Sequence, residues 1–507
     1  MNQFNKTGAF KLYNRKGISL FVITVLLIGF LSAKTMLTLP ILLGFIVTLF
    51  IIIKFVKNPS LTLTVLFSLS FILLGSTRFI QTTLPVGLTV DILLTLSWII
   101  VLLKSNRRTD WSIKNNLLTN CMAVWALYNV LQIFNPESVS IEAWFYAVRA
   151  IALYPLLLVP LVFLIYNQQK DYRLFINIWF MASMILALYG LKQFYFGVNR
   201  WEQAWLDAGA DITHVLWNRL RVFSFLCDAG QFGVFQAQAG TTALIFAIGE
   251  LKTKRRIFYW LTAILSFIGM IISGTRGVLV VPIIGLFVFL IFSKNLKLLI
   301  TGFIIGGICL YLLIFTMSLN RHAPIARMRT AFNTQDASLN VRKENRLILD
   351  KYLENRPFGG GIGSAGSWGA RFSPDTFLAK FQTDGQYVRI YAEEGIVGLY
   401  LYIGLFSIIL CRMLWITWHL KTPILSQQMI GLTCGILGVM VANYGNSYSS
   451  QIPSNLIFFW CMAFVYMAPK WDKGEEYPKF GDLPQHNNLE KIHQEEKNRT
   501  IDNIKLD

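Results

Sequence analysis

The first candidates for chemistry are arginines that lie next to long apolar runs. Arg276 stands in the segment 273–277, Ser-Gly-Thr-Arg-Gly, between two such runs, and Arg221 precedes another. A guanidinium turned toward the protein interior can hold a phosphate group through paired hydrogen bonds. The alternative for each is anchoring at the membrane surface, with the charged end among lipid headgroups.

Arg149 is a third candidate, because it lies about two turns into an apolar run. The nearest acidic residue in the sequence, Glu142, is too far along a helix for a tight pair. A buried cation at this depth requires a partner on another helix or a ligand. Asp91, near the start of another apolar run, is the structural alternative to a ligand.

Carboxylates near these cations are the candidates for a general base, which needs a free lone pair within reach of a proton. They are Asp384 and the pair at 393–394, of which Glu393 is the first. The alternative is that each only forms a salt bridge with Arg389 or Arg371.

Two histidines, His214 and His322, could also act as bases. Neither lies in a motif, so surface positions are the simpler interpretation. The sequence contains no Asp-x-Asp, His-x-x-His or Gly-x-Ser-x-Gly. We therefore expect no metal site, no cofactor and no serine hydrolase chemistry.

Most of these residues lie in or beside one long polar segment. Between 321 and 389 it has eleven Lys and Arg against six Asp and Glu, a surplus that favours an anionic ligand. Residues 341–355 predict a basic amphipathic helix on the membrane or over the bundle. Arg356-Pro357 then stops the helix, and glycines follow at 359, 360, 361 and 363. The residues expected to support this loop are Arg356, Gly359, Gly361, Gly363 and Tyr387.

Composition places the segment in a membrane protein. The chain has 507 residues, of which 54% are hydrophobic and 14% charged, and its apolar runs approach the length that crosses a bilayer. We predict an all-α polytopic bundle with about fourteen transmembrane helices. They lie near 18–33, 36–56, 60–80, 86–104, 115–133, 143–166, 173–196, 230–250, 257–273, 277–293, 297–317, 395–415, 425–445 and 452–468.

Charge distribution predicts the orientation of the bundle. The net charge of +19 comes mainly from short basic clusters in alternate loops, which indicates membrane topology and not nucleic-acid binding. Both termini are therefore expected in the cytoplasm. The predicted organisation is residues 1–317 with helices 1–11, a large outer loop at 318–394, helices 12–14 in 395–468, and a disordered cytoplasmic tail at 469–507.

The order of these features over roughly residues 200–445 resembles the O-antigen ligase and O-antigen polymerase superfamily of bacterial envelope glycosyltransferases. The features are an Arg-led loop, Ser-Gly-Thr-Arg-Gly, a large loop with Arg-Pro-Phe-Gly-Gly-Gly-Ile-Gly, and Asp-x-x-Tyr before Glu-x-Gly-Ile-Val-Gly. The resemblance implies a GT-C-like bundle in the bacterial inner membrane with its large loop in the periplasm. It also implies a metal-independent enzyme that takes a glycan from an undecaprenyl-pyrophosphate carrier to an acceptor hydroxyl.

The resemblance assigns roles to individual residues. Arg276 looks like the family's pyrophosphate-binding arginine, and Arg221 looks like the arginine of the preceding loop. Ligases typically have a histidine, held to be the base, eleven residues before the glycine of Glu-x-Gly. Asp384 occupies that position here, which favours a polymerase-like member. Asp384 is then either the base or a residue that orients the acceptor, with Glu393 or His322 as the base instead.

The resemblance also implies partners: a polyprenyl-pyrophosphate-linked glycan donor, a glycan or lipid acceptor, membrane lipids and a chain-length regulator. The expected function is polymerisation of lipid-linked repeat units for a surface polysaccharide. The alternatives are ligase-type transfer to a lipid or protein acceptor, and an anion transporter. Transporters often carry inverted repeats, whereas the glycine and loop features here lie in the second half only.

Overall fold

The computed structural model describes residues 38–79, 87–105, 110–216, 219–316, 323–332, 337–478 and 480. The predicted first span near 18–33, His322 and the tail beyond residue 480 lie outside them. The chain forms two compact units, residues 1–61 and 62–507. Across the described residues the secondary structure is almost entirely helical, as expected for a helical membrane protein.

In the first unit, the described residues form helix α1, Thr38–Lys57. It is apolar apart from Lys54 and Lys57 in its last turn, and side chains such as Phe50 are exposed. The next helix is α2, Ser60–Ser76.

The second unit contains the remaining helices and one small hairpin. Its helices before the long loop are α3 Leu88–Lys104, α4 Leu117–Leu131, α5 Ile141–Val148, α6 Tyr154–Ile165, α7 Gln169–Phe196, α8 Arg200–Trp205, α9 Asp211–His214, α10 Ala229–Gly249, α11 Thr253–Ile272, α12 Val280–Phe292 and α13 Leu296–Phe315. Those that follow are α14 Ala323–Arg329, α15 Ala337–Leu353, α16 Gly366–Phe372, α17 Phe377–Lys380, α18 Gln386–His419, α19 Pro423–Ala442 and α20 Ser454–Asp472. The hairpin pairs β1, Val215–Leu216, with β2, Arg219–Leu220.

Helix α10 is the centre of the bundle and packs against α11, α12 and α19. Its small residues allow this close packing, which is how helices associate inside membranes. A Cβ at Gly240 would lie 3.1 Å from the Ser266 side chain of α11. Gly285 of α12 likewise faces Thr241 of α10. A larger residue at Gly285 would therefore require a neighbouring group to shift, and one at Gly240 would require a smaller adjustment.

The prediction of a helical multi-pass membrane protein is confirmed. Every predicted span between 36 and 468 coincides with a described helix. Among the described residues, however, seven segments are long and apolar enough to cross a membrane. They are Leu117–Phe134, Ile141–Ile165, Gln169–Phe196, Ala229–Gly249, Thr253–Ile272, Gln386–His419 and Pro423–Ala442. Three further apolar helices are shorter than 18 residues, so the count of fourteen spans stays a prediction.

The helices of the central bundle define two opposite ends. Helices α10, α11 and α19 have 21, 20 and 20 residues, so each is about 30 Å long. Ala229, Ile272 and Ala442 lie at one end. The basic turn between α10 and α11, which contains Lys252, lies at the other end together with Pro423. The two ends are thus about one hydrocarbon thickness apart.

The long loop contains the predicted amphipathic helix, which extends from Ala337 to Leu353 as α15. Leu349 and Leu353 are buried in a small apolar cluster that includes residues of α18. Helix α18 is interrupted at Gly395, whose φ of 70° is not helical. This break falls where the predicted loop, 318–394, meets the predicted span at 395. The predicted tail boundary at 469 lies inside α20.

Candidate functional site

A cavity of about 750 Å³ lies at the end of the bundle formed by Ala229, Ile272 and Ala442. Four parts of the chain surround it: the segment before α10, the turn after α11, the long loop, and the segment after α19. Its charged and titratable lining residues are His214, Arg221, Asp228, Arg276, Arg327, Arg342, Asp384, Tyr444 and Tyr448. The cavity thus brings together Arg221, Arg276 and Asp384.

The hairpin positions Arg221. It brings the Arg221 backbone N–H to within 2.7 Å of the His214 carbonyl oxygen. The guanidinium then donates to the Thr213 carbonyl and to Thr275 Oγ1, each at 3.1 Å. Its Nε is buried and has no hydrogen-bond partner among the described residues. The Arg221 side chain therefore connects two parts of the cavity wall, the segment before the hairpin and the turn after α11.

The Ser-Gly-Thr turn positions Arg276. Gly274 has a φ of 60°, and Ser273 Oγ accepts a hydrogen bond from the Thr275 backbone N–H at 3.2 Å. The Thr275 hydroxyl donates to the Ala229 carbonyl at 3.1 Å and makes no cap of the following helix. Arg276 then extends toward the long loop, where it donates to Thr330 Oγ1 at 3.1 Å.

The structure adds Arg327, which the sequence reasoning did not single out. Burial, together with the positive charges of Arg221 and Arg276, lowers the pKa of Arg327 to about 10. Burial also lowers the pKa of Arg221, an effect that Asp228 and Tyr448 oppose and Arg276 reinforces. Together the three arginines make this part of the cavity positively charged, an arrangement that can attract an anion with more than one negative charge.

Asp384 faces this arginine cluster across the cavity and is half-exposed, with 45% of its side chain accessible. Its carboxylate lies 3.4 Å from Arg342 Nε. Asp384 thus pairs with Arg342 and not with Arg389 or Arg371, because α15 brings Arg342 over the start of α18, whereas the alternative pairing with Arg389 is the one that Glu393 makes. Gly385 follows with a φ of 97°, and a Cβ there would overlap the Tyr444 carbonyl. This close contact fixes Asp384 beside the segment after α19.

Glu393 lies away from the cavity lining. It is 1% exposed, accepts from the Ala365 backbone N–H at 3.2 Å, and lies 3.3 Å from Arg389 Nε. These contacts are those of a buried carboxylate that holds neighbouring segments together. Among the described residues, the second carboxylate that lines the cavity is Asp228. Its Oδ1 accepts from the Gln231 backbone N–H at 2.9 Å and so caps α10.

Arg149 also lies away from the cavity. Its NH1 is 2.6 Å from Asp91 Oδ2, the structural alternative given by the sequence, and its guanidinium lies over the Tyr146 ring. The structure thus supplies the partner that a buried cation requires.

The expectation that His214 is a surface residue is wrong. It is 6% exposed and packs edge-on against Trp205 and Phe223. Its Nδ1 lies 2.9 Å from the Ala210 carbonyl, and its buried Nε2 has no hydrogen-bond partner in the described part of the chain. Burial lowers the pKa of His214, as do Arg221 and Arg78. The imidazole is therefore neutral at neutral pH.

The loop-support residues lie behind the site. The backbone N–H groups of Gly360 and Gly361 donate to the carbonyls of Ala392 and Glu393, each at 2.9 Å. The turn is thus attached to α18 just before its break. Gly361 and Gly363 of the turn pack against residues 138 and 143. Before the turn, Arg356 forms a salt bridge with Glu137 at 2.8 Å. In α18, the Tyr387 hydroxyl donates to the Met440 carbonyl at 2.7 Å.

We expect Gly359→Ala to destabilise the protein by roughly 1–3 kcal/mol more than Gly366→Ala. Both glycines have positive φ, of 74° and 64°. A Cβ at Gly359 would overlap the backbone of 393–395, whereas nothing lies within 4 Å of one at Gly366. Thermal unfolding of the two purified variants in detergent checks this. Equal melting temperatures would show that the turn does not need this close contact.

Comparison with known proteins adds one match. Residues 261–403 match the family model described as O-antigen ligase. No curated protein matches the chain. The matched segment contains Arg276, Arg327, Arg342 and Asp384, whereas Arg221 and His214 precede it. The segment 261–403 is therefore similar to the O-antigen ligase family, in agreement with the resemblance of the motifs.

Proposed function

We propose that the chain polymerises oligosaccharide repeat units carried on undecaprenyl pyrophosphate, at the face of the inner membrane opposite the cytoplasm. The observation that supports this is that the lining of one cavity includes Arg221, Arg276, Arg327 and Asp384. Such a site has cations for a diphosphate and a carboxylate for an acceptor hydroxyl. The alternative is ligase-type transfer to another acceptor. It also requires cations for the diphosphate and a carboxylate for the acceptor hydroxyl.

The arginines act on the leaving group. When the bond between the anomeric carbon and the pyrophosphate oxygen breaks, negative charge grows on the diphosphate. Fixed guanidinium groups stabilise that charge without reorganisation, which is the largest contribution in many enzymes. The paired N–H groups of Arg276 also fix the orientation of the diphosphate. The three arginines therefore replace the metal ion that other glycosyl transfers use.

Asp384 acts on the nucleophile. It takes the proton of the acceptor hydroxyl as the oxygen bonds to the anomeric carbon, and undecaprenyl pyrophosphate leaves. Attack from the side opposite the leaving group inverts the anomeric centre. A double displacement would require a second carboxylate at the carbon. Glu393 does not line the cavity, and Asp228, which does, is engaged in capping α10 through the Gln231 backbone N–H, which favours the single displacement.

The direct test uses the purified chain in lipid nanodiscs with undecaprenyl-pyrophosphate-linked repeat units and a chelator. The expected products are longer lipid-linked glycans and free undecaprenyl pyrophosphate. Transfer only when a second lipid acceptor is added would identify a ligase. Absence of any carrier release under both conditions would contradict glycosyl transfer.

Arg327→Gln is expected to raise the melting temperature of the ligand-free protein by about 1–3 °C while weakening donor binding roughly tenfold. The repulsion from Arg221 and Arg276 acts on charged Arg327, so it opposes folding at every pH well below its pKa of about 10. Removing the charge relieves that repulsion, but it also removes a contact to the donor.

Arg329→Gln is the matched control, because Arg329 donates to the carbonyls of Thr316 and Ile314. Its loss should lower the melting temperature. A lower melting temperature for Arg327→Gln as well would show that Arg327 is structural.

Reporter fusions after Leu251 and after Thr330 are expected to lie on opposite sides of the membrane. The turn at 250–252 and the cavity lie at opposite ends of α10 and α11, and basic turns face the cytoplasm. Alkaline phosphatase activity after Thr330 and fluorescence of a cytoplasmic reporter after Leu251 would check this. The same side for both would contradict the assigned orientation.

A further inference from the structure

A second, smaller cavity of about 220 Å³ adjoins the first. Arg342, Asp384 and Tyr444 line both cavities, so the two are neighbours that share this wall. The smaller one lies between α15 and α18, and we call it the interhelix cleft. From α15 its lining takes Arg342, Asn345, Arg346, Leu349 and Asp350.

One wall of the interhelix cleft is a single face of α15. The five α15 residues have the spacing i, i+3, i+4, i+7 and i+8, which places their side chains along one stripe. Leu349 is 1% exposed and anchors the helix on α18. The other four carry hydrogen-bonding groups. Among them, Arg346 Nε lies 4.0 Å from Asp350 Oδ2. The polar stripe of this amphipathic helix therefore lines a cleft.

The opposite wall is aromatic and apolar. Tyr387 and Tyr391 come from the first part of α18, and Tyr444 follows α19. The Tyr387 hydroxyl is fixed by its hydrogen bond to the Met440 carbonyl. Tyr444 is 63% exposed, so its ring surface is accessible to a ligand. The cleft thus offers ring faces on one side and charged and amide groups on the other.

This combination suits a sugar. The C–H faces of a sugar ring pack on aromatic rings, while its hydroxyls donate to carboxylates and accept from guanidinium and amide groups. A polyprenyl chain would leave the polar stripe of α15 without partners, which costs free energy. The volume lies below the roughly 300 Å³ minimum of typical drug-sized sites, so one terminal sugar is the appropriate occupant.

We propose, on the basis of the function proposed above, that the interhelix cleft binds the terminal sugar of a glycan acceptor. Asp384 then lies at the boundary between acceptor and donor. The acceptor hydroxyl gives its proton to Asp384, its oxygen bonds to the anomeric carbon, and the electron pair of the broken bond leaves with the diphosphate. Acceptor specificity resides in the α15 stripe and the tyrosines, apart from the arginine cluster.

The test measures the two ligands separately on the full chain in nanodiscs. The sugar probe is the oligosaccharide repeat unit released from its carrier by mild acid, so that it has no phosphate, and the anion probe is inorganic pyrophosphate. Tyr391→Ala and Arg346→Ala should each weaken binding of the sugar roughly tenfold and leave pyrophosphate binding unchanged. Arg221→Ala should show the reverse pattern.

Two matched controls are available. Tyr400→Ala removes an exposed tyrosine of α18 outside the interhelix cleft, and Arg371→Ala removes an exposed loop arginine. Both should bind the sugar as the parent does. Tyr391→Phe keeps the ring, so it should retain more binding than Tyr391→Ala even if the alanine variant folds poorly.

Parental sugar affinity in both Tyr391→Ala and Arg346→Ala would overturn the proposal. So would an equal loss in Tyr400→Ala, or displacement of the sugar by sugar-free polyprenol. Failure of the parent to bind pyrophosphate would overturn the donor site alone, because the sugar measurement does not depend on the arginines. A sugar that binds with the expected variant pattern supports the cleft in either case.

Discussion

Arg276→Lys should reduce glycan transfer by roughly 100-fold or more, even though the positive charge is kept. Lysine is a single point donor, whereas Arg276 lies between the Ser-Gly-Thr turn and Thr330 with a planar group that can pair with two phosphate oxygens. The loss should appear in the rate of carrier release under saturating donor, since the charge on the diphosphate is greatest in the transition state.

Arg371→Lys is the matched control for this measurement. Arg371 belongs to the long loop and is exposed, and the cavity lining does not include it. It should transfer glycan at the parental rate. If Arg276→Ala gave polymer of normal length and yield at normal protein level, Arg276 would be a headgroup anchor, the alternative raised by the sequence.

Asp384→Asn is expected to reduce turnover by roughly 10²–10⁴-fold while donor binding is retained. Asparagine keeps the shape and some hydrogen bonding of the side chain but cannot accept the proton. The loss of a negative charge beside Arg342 leaves that cation available to the donor. In this variant the turnover of the purified enzyme should therefore fall, while the binding of carrier-linked glycan should be retained.

Two further variants define the base. Asp384→His introduces the residue that ligases typically have here, and it should retain more turnover than Asp384→Asn. Glu393→Gln should affect folding more than chemistry, because Glu393 is buried against Ala365 and Arg389. Turnover of Asp384→Asn within a few-fold of the parent would reject Asp384 and direct attention to Asp228 and His214.

The motif residues were predictable because their order along the chain carries information. Arg221, Arg276 and Asp384 are more than a hundred residues apart at the extremes, yet each stands at the end of an apolar run. Because two helices of 21 and 20 residues, α10 and α11, separate Arg221 from Arg276, these two arginines return to the same end of the bundle. The predicted boundary between loop and span at 394–395 coincides with the break at Gly395, but the sequence analysis did not predict that a helix begins before it, at Gln386.

Residues whose role depends on packing between distant helices were not predictable. Arg149 fitted a ligand or Asp91 equally well until the structure placed Asp91 2.6 Å away. Arg327 lies in a stretch with several arginines and no motif, so nothing in the sequence separates it from Arg329. A polar loop segment also gave no indication that His214 would be enclosed by Trp205 and Phe223.

The interruption of α18 at Gly395 has a mechanical consequence. The part before the break is attached to other segments through Gln386 N–H to the Asn443 carbonyl and through the glycine turn, whereas the part after it is the span. A span tilts when the thickness of the surrounding bilayer changes. Because one non-helical residue separates the two parts, we expect a change in bilayer thickness to displace Asp384 less than it would in a continuous helix.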